Sequence, residues 1–261
     1  MPAADDSASD LGLLIGAVRS AGKLALSLLH RDLRRWSKPD GSQVTEADLA
    51  VNERLAETLR PHRPAYGWLS EESPDGPERL SCESLWIVDP IDGTQDFIAR
   101  GRDWCIAAAL IHRGRPVGAA VYRPVGDELF TATEGAPCEL NGVPVSVADG
   151  PLLAGASIMG NRKSLQRLDG TGVEARTTRT LPLQLRLAFV AAGRLDGALS
   201  FGQRNDWDLA AGELLVQQAG GRVSDTDGRS LVYNRPQTWQ QGLVAAGAKR
   251  HAALLDALRK T

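Results

Sequence analysis

Residues 84–97, Ser-Leu-Trp-Ile-Val-Asp-Pro-Ile-Asp-Gly-Thr-Gln-Asp-Phe, constrain this chain more than any other stretch. The apolar run Leu85 to Val88 has the length and composition of a buried strand. It ends at once in Asp89, Pro90, Ile91, Asp92, Gly93 and Thr94. Pro90 lacks a backbone donor and fixes φ, and Gly93 permits a tight bend. A turn built this way aims two carboxylates and a free carbonyl at one point, the oxygen cluster that a hard cation such as Mg²⁺ requires. The plain alternative is a turn and nothing more, since Asp-Pro and Asp-Gly pairs are common turn formers.

With 261 residues and 43% hydrophobic content, the chain can bury one large core or two smaller ones. A formal charge of −2 argues against a general nucleic-acid binder, and no basic stripe with interleaved aromatics is present. Cys82, Cys105 and Cys138 are sparse and form no CxxC pair, which suggests a reducing compartment and no zinc site. Arg19 and Lys23 interrupt the first apolar stretch, so neither a signal peptide nor a membrane span is expected. These features predict a cytoplasmic protein; no exposed apolar helix face stands out to choose between a monomer and a homodimer.

The spacing of Leu14, Val18, Ala21, Leu24, Ala25 and Leu28 predicts a helix over 11–33. A second helix is expected over 46–59, and a short strand over 66–69. Three antiparallel strands are expected over 105–112, 117–122 and 128–132. After about residue 150 the pattern alternates: strand 155–159, helix 162–168, helix 185–192, strand 196–200, helix 207–219, strand 243–246 and helix 251–258. The expected division is an α+β half over 1–150 and an α/β half over 151–261, packed as one unit.

Four segments each place an acid at an element boundary. Thr45-Glu46-Ala47-Asp48 also reads as a helix capping box. Glu71-Glu72 follows a strand and also reads as a solvated loop. Asp89 and Asp92 form the third segment. Asp208 sits in the first turn of the 207–219 helix, where the helix dipole favours an acid whatever the function.

Taken in order, Thr-x-Ala-Asp, Ser-Glu-Glu-Ser, Trp-Ile-Val-Asp-Pro-Ile-Asp-Gly-Thr-x-x-Phe and Trp-Asp-Leu-Ala-Ala-Gly resemble the inositol monophosphatase superfamily of Mg²⁺-dependent, lithium-sensitive phosphatases. The resemblance implies a layered αβαβα sandwich of the inositol monophosphatase and fructose-1,6-bisphosphatase type. It implies two or three Mg²⁺ ions, held by Glu71, Asp89, the carbonyl of Ile91, Asp92 and Asp208. Asp48 would hydrogen-bond Thr94, and Thr94 with Glu71 would orient the attacking water. Gly93 and Thr94 would present backbone donors to the substrate phosphate. Hydrolysis of a phosphomonoester by metal-activated water needs no covalent intermediate, and no Cys-His or Ser-His constellation offers one. A scaffold that had lost catalysis would lack at least one of these residues, and none is missing.

The substrate is read from other positions. Inositol-cleaving members place a Glu seven residues before the metal-binding Asp; here that residue is Phe201. The run Phe201-Gly202 to Trp207-Asp208 is similar to bacterial 3′(2′),5′-bisphosphate nucleotidases, and Arg186 falls where those members carry a basic residue. Pro182-Leu183 and Gln95 depart from the nucleotidase pattern. The expected substrate is 3′-phosphoadenosine 5′-phosphate, and the alternatives are inositol 1-phosphate and a histidinol or sugar phosphate. Phe201, Arg186, Asp92 and Asp208 are expected to contact it, and the roles of Arg162, Lys163 and Arg204 stay open.

Overall fold

Leu85 and Ile87 pack on one side of their strand and Trp86 and Val88 on the other, all at most 1% exposed. Successive side chains of a strand point to opposite faces, so an unbroken apolar run requires a sheet covered on both sides. The rest of the architecture supplies that cover.

The computed structural model describes residues 4–39, 41–148, 150–177 and 181–260. In chain order, α1 (Ala4–Leu28) leads into a hairpin of β1 (Arg35–Ser37) and β2 (Gln43–Thr45), followed by α2 (Glu46–Leu59). Next come β3 (Gly67–Ser70), β4 (Ser84–Asp92), the short α3 (Thr94–Ile98), β5 (Cys105–His112), β6 (Arg115–Arg123), β7 (Glu128–Thr133), β8 (Glu139–Leu140) and β9 (Val143–Pro144). The remainder is β10 (Ser157–Gly160), α4 (Arg162–Leu165), β11 (Glu174–Thr177), α5 (Leu183–Ala191), β12 (Gly197–Asn205), α6 (Ala210–Gln218), β13 (Gly221–Ser224), β14 (Trp239–Gly247) and α7 (Ala248–Arg259).

Strands β3 to β9 form one seven-stranded sheet in sequence order. A five-stranded sheet has the order β11-β10-β12-β14-β13. Helices α1 and α2 cover the outer face of the larger sheet through Leu14, Val18, Val51 and Leu55. Helices α5 and α6 lie between the sheets and share one core with both, through Leu187, Leu214, Ile87 and Leu243. Helix α7 and the α4 segment close the far side through Leu165 and Leu254. The layering is therefore αβαβα, the fold class that the sequence implies.

Several elements differ from the expected spans. Helix α1 ends at Leu28 rather than 33, and the strand of the β1–β2 hairpin begins at Arg35. Asp10–Leu28 is long and apolar enough to cross a membrane by length and composition, but its face of Leu14, Ala17, Val18 and Ala21 is fully buried against the larger sheet. The helix expected over 207–219 is broken. Asp206–Asp208 forms a 3₁₀ turn, and α6 starts only at Ala210.

Two registers position the acidic segments. Strands β3 and β4 are parallel, with Ser70 opposite Val88. Parallel neighbours end at the same edge, so Glu71 and Asp89 emerge side by side. Across the antiparallel β4–β5 pair, Asp89 faces Ala107 and Asp92 faces Cys105, so three steps on β4 match two on β5. This one-residue bulge at Pro90-Ile91 bends the strand and turns both aspartates to one side of the sheet end.

Candidate active site

The ends of β3 and β4, the start of α3 and α5, and the turn before α6 converge on a cleft of about 340 Å³. Of the residues singled out by sequence, Glu71, Ile91, Asp92, Gly93, Thr94, Arg186 and Asp208 line it. Asp89 and Asp48 stand behind its wall, each 1% exposed. Gly93 has φ +100°, a left-handed conformation that costs any residue with a Cβ.

Asp48 serves two partners with its two oxygens. Its Oδ2 accepts from the Thr45 backbone N–H at 2.8 Å and from Thr45 Oγ1 at 2.6 Å, completing the capping box of α2. Its Oδ1 accepts from Thr94 Oγ1 at 3.0 Å. Capping and contact with Thr94 are thus compatible. Ile91 O also lies 3.1 Å from Thr94 Oγ1.

The acids here are held far from their ordinary titration range. Burial pushes Asp92 up to about 8, and the neighbouring Asp208 charge adds to it; the Gln184 backbone N–H, 2.8 Å from Oδ2, opposes the rise. Burial and then Glu71 raise Asp208 to about 7, although Asn205 N donates to its Oδ2 at 3.0 Å. Asp89 rises well above the carboxylate range through burial and through Glu71, Asp92 and Asp208. Like charges in a low-dielectric pocket favour protonation of some of their number.

Lys38, which the sequence reading passed over, answers part of this charge. Its Nζ donates to Glu71 Oε1 at 2.8 Å and to Glu72 Oε1 at 2.6 Å. Burial lowers its pKa, but Glu71 and Glu72 together outweigh that and hold it above its usual value. A cation within the Pro/Gly turn just ahead of the Thr45 box was the available signal. Ser42 and Gln43 of the same hairpin also line the cleft.

Among the described residues, no three Asp, Glu, His or Cys side chains enclose a single point tightly enough to bind an ion as they stand. Several of these oxygens are engaged by protein donors. Lys38 takes Glu71, Gln184 N takes one oxygen of Asp92 and Asn205 N takes one oxygen of Asp208. The donor set nevertheless fits a hard cation: all are oxygens, and Asp89 Oδ1 is buried with no hydrogen-bond partner. In the unfolded chain these carboxyls lose their protons near pH 4. Folded, Asp208 and Asp92 do so near 7 and 8. The folded chain therefore binds more protons over that window, and the stability these groups contribute is lost as pH rises through it. A cation that replaces the protons should raise the melting temperature more at pH 8 than at pH 6. Equal Mg²⁺-induced shifts at the two pH values would contradict the assignment.

A second cleft of about 270 Å³ adjoins the first and shares Arg186 and Asp208 with it; Asn161, Ser200 and Arg204 complete its polar lining. Arg186 donates its Nε–H to Leu181 O at 2.8 Å. Arg204 is fixed by Ser200 Oγ at 2.5 Å and by the carbonyl of Gln203 at 2.7 Å. Neither guanidinium hydrogen-bonds to a carboxylate among the described residues. Burial lowers the pKa of Arg186; Asp92 opposes this, and the like charge of Arg204 adds to it.

Phe201, expected to contact substrate, lines neither cleft. Strand alternation puts it on the face of Leu199, opposite Ser200, where it packs against the α4–α7 core with Arg167 stacked 4.6 Å from its ring centre. Arg162 and Lys163 lie exposed on α4.

Comparison with known proteins gives the family and the fold. The sequence model described as the inositol monophosphatase family matches residues 7–261. The Nus factor SuhB of Escherichia coli is 36% identical over 230 residues, covering 84% of this chain and 85% of that protein. Inositol monophosphatase 1 of Solanum lycopersicum is 32% identical over 233 residues, with 84% and 85% covered. Among solved structures, the extragenic suppressor protein suhB from Bartonella henselae superposes with a TM-score of 0.84 at 29% identity, over 95% of this chain and 98% of that one. An inositol monophosphatase from Anabaena gives 0.79 at 27% identity, over 96% and 95%.

Proposed function

The chain belongs to the inositol monophosphatase family of metal-dependent phosphomonoester hydrolases, and from that premise we propose that it is Mg²⁺-dependent and cleaves a small phosphomonoester carrying a second anionic group. The representative of that class is 3′-phosphoadenosine 5′-phosphate. One observation carries the choice: the acidic cleft shares Arg186 and Asp208 with a second cleft, which Arg204 also lines. Two like-charged guanidinium groups kept close together favour an anion between them.

Asp89, Asp92, Asp208, Glu71 and the Ile91 carbonyl would hold two Mg²⁺ ions, a third leaning on Glu71, and such ions lower the pKa of water and neutralise phosphoryl charge. The chain's own groups do the rest. The hydroxyl proton of Thr94 is directed to Asp48 or to Ile91 O, which leaves its lone pairs to receive and orient a water. The first N–H groups of the turn after Gly93 have no intrahelical acceptor and can bind phosphate oxygens. Arg186 and Arg204 would grip the second anion and set the register of the scissile phosphate.

The test is phosphate release from 3′-phosphoadenosine 5′-phosphate, inositol 1-phosphate, fructose 1,6-bisphosphate and histidinol phosphate at equal concentration. Loss of a hydrogen bond to a charged group costs about 1.5–3 kcal/mol, or roughly 10–100-fold. Arg186→Ala should therefore lower kcat/KM for the bisphosphate by about that factor and leave inositol 1-phosphate little changed. An equal loss on both, or a wild-type preference for inositol 1-phosphate, would sink the bisphosphate reading. The relative named inositol monophosphatase 1 favours that alternative. The relatives named Nus factor SuhB favour a further role of that kind, which would persist in a variant unable to hydrolyse any ester.

A further inference from the structure

The break before α6 leaves specific atoms to satisfy. Asp206–Asp208 is a 3₁₀ turn, Leu209 has φ −124° and ψ −41°, and regular helix resumes at Ala210. Such a junction strands a carbonyl ahead of it and a first-turn N–H behind it. Both are met by one side chain from another helix. Gln184, fully buried near the start of α5, accepts from the Gly212 N–H at 2.8 Å through its amide oxygen and donates to Trp207 O at 2.7 Å through its amide nitrogen. Asp208 lies between the two tied positions.

The backbone of the same residue reaches the other carboxylate. The Gln184 N–H donates to Asp92 Oδ2 at 2.8 Å. One residue thus touches Asp92, which ends a strand of the larger sheet, and clamps the turn that carries Asp208 at the end of a strand of the smaller one. The fit allows little variation. A Cβ added at Gly212 would lie 2.9 Å from the Gln184 amide oxygen and 2.5 Å from Leu187 Cβ. Only an uncharged amide offers a donor and an acceptor at this reach; a carboxylate lacks the donor and leucine lacks both.

We propose that Gln184 is a positioning residue that fixes Asp208 relative to Asp92, through an amide inserted in the broken helix. The functional part rests on the reading of these two aspartates as cation ligands. The clamp itself does not, and the experiment separates them. Gln184→Ala is compared with Leu187→Ala, which loosens the packing of the same two helices without touching the amide. Three quantities are read: hydrogen exchange at residues 207–214, the rise in melting temperature on adding Mg²⁺, and kcat with KM.

Both variants should melt earlier than the parent. Gln184→Ala alone should lose protection at Gly212, show a smaller Mg²⁺-induced rise, and lose about 100-fold in kcat with KM little changed, the scale for a misplacement of about 1 Å. Unchanged protection at Gly212 overturns the clamp, whatever the metal does. Lost protection with the Mg²⁺ response and kcat of Leu187→Ala reduces Gln184 to a structural role and overturns the proposal. A parent chain with no Mg²⁺ response and no turnover refutes the metal reading and, with it, the positioning role. If the alanine variant does not fold, Gln184→Met keeps the volume but has neither the donor to Trp207 O nor the acceptor for the Gly212 N–H. It should show the same kcat loss with KM retained; wild-type kcat there overturns the proposal.

Discussion

Asp92→Asn should yield a folded chain whose turnover is lower by at least about 10³-fold. Removing one preorganised electrostatic contact costs roughly 10²–10³ in kcat, and Asp92 offers an ionic one within a shared cluster. The fold should survive because the strand that carries Asp92 is anchored elsewhere, by Leu85, Trp86, Ile87 and Val88 in two separate cores. The amide should even raise the melting temperature without divalent ions above neutral pH, because it removes one of the buried like charges that hold Asp89 and Asp208 far above the carboxylate range. Steady-state kinetics beside a thermal melt checks both statements. Near-normal turnover would remove Asp92 from the reaction, and an unfolded variant would make it a structural residue.

Gly93→Ala should damage stability and activity together. At φ +100° a methyl group would sit 2.9 Å from Asp103 O and 3.2 Å from both Pro182 Cγ and Trp104 Cα. Two of those three neighbours are backbone and cannot rotate away. Strain of this kind costs about 1–3 kcal/mol, which lowers the melting temperature by roughly 2–4 °C per kcal/mol in a chain of this size. The displaced turn would carry Thr94 away from Asp48 and Ile91 O, so kcat should fall about 100-fold as well. A variant with wild-type kcat would show that the turn's geometry is not what orients the reacting groups.

Local chemistry explains why some of this was legible in sequence. The Leu85–Thr94 run carries its own instructions: two-sided burial, a proline that cannot join the ladder and a glycine at the bend. The α2 boundaries follow from the Thr45–Asp48 box and Pro61. Features made by distant partners left little local trace. The helix expected from Trp207 onward is broken, and the groups the break leaves over are met by an amide from distant α5. Phe201 looked like a specificity residue by position, yet it shares the face of Leu199 and packs on the outer core, while Ser200 beside it lines the second cleft. Lys38 has the local sequence of a surface turn, and only the tertiary placing of its hairpin brings it to Glu71 and Glu72.

The outer wall of the second cleft is held up by a different core from the one under the carboxylates. The carboxylates rest on the central layer that both sheets share, whereas Asn161 and the segment from Ser200 to Arg204 rest on the smaller outer cluster around Ile158, Leu165, Leu199 and Leu254. Substitutions that accumulate in that outer cluster would be judged by what the second cleft admits and would leave the hydrolytic centre intact. A lineage built on this plan could drift from one phosphorylated metabolite to another while its chemistry stood still.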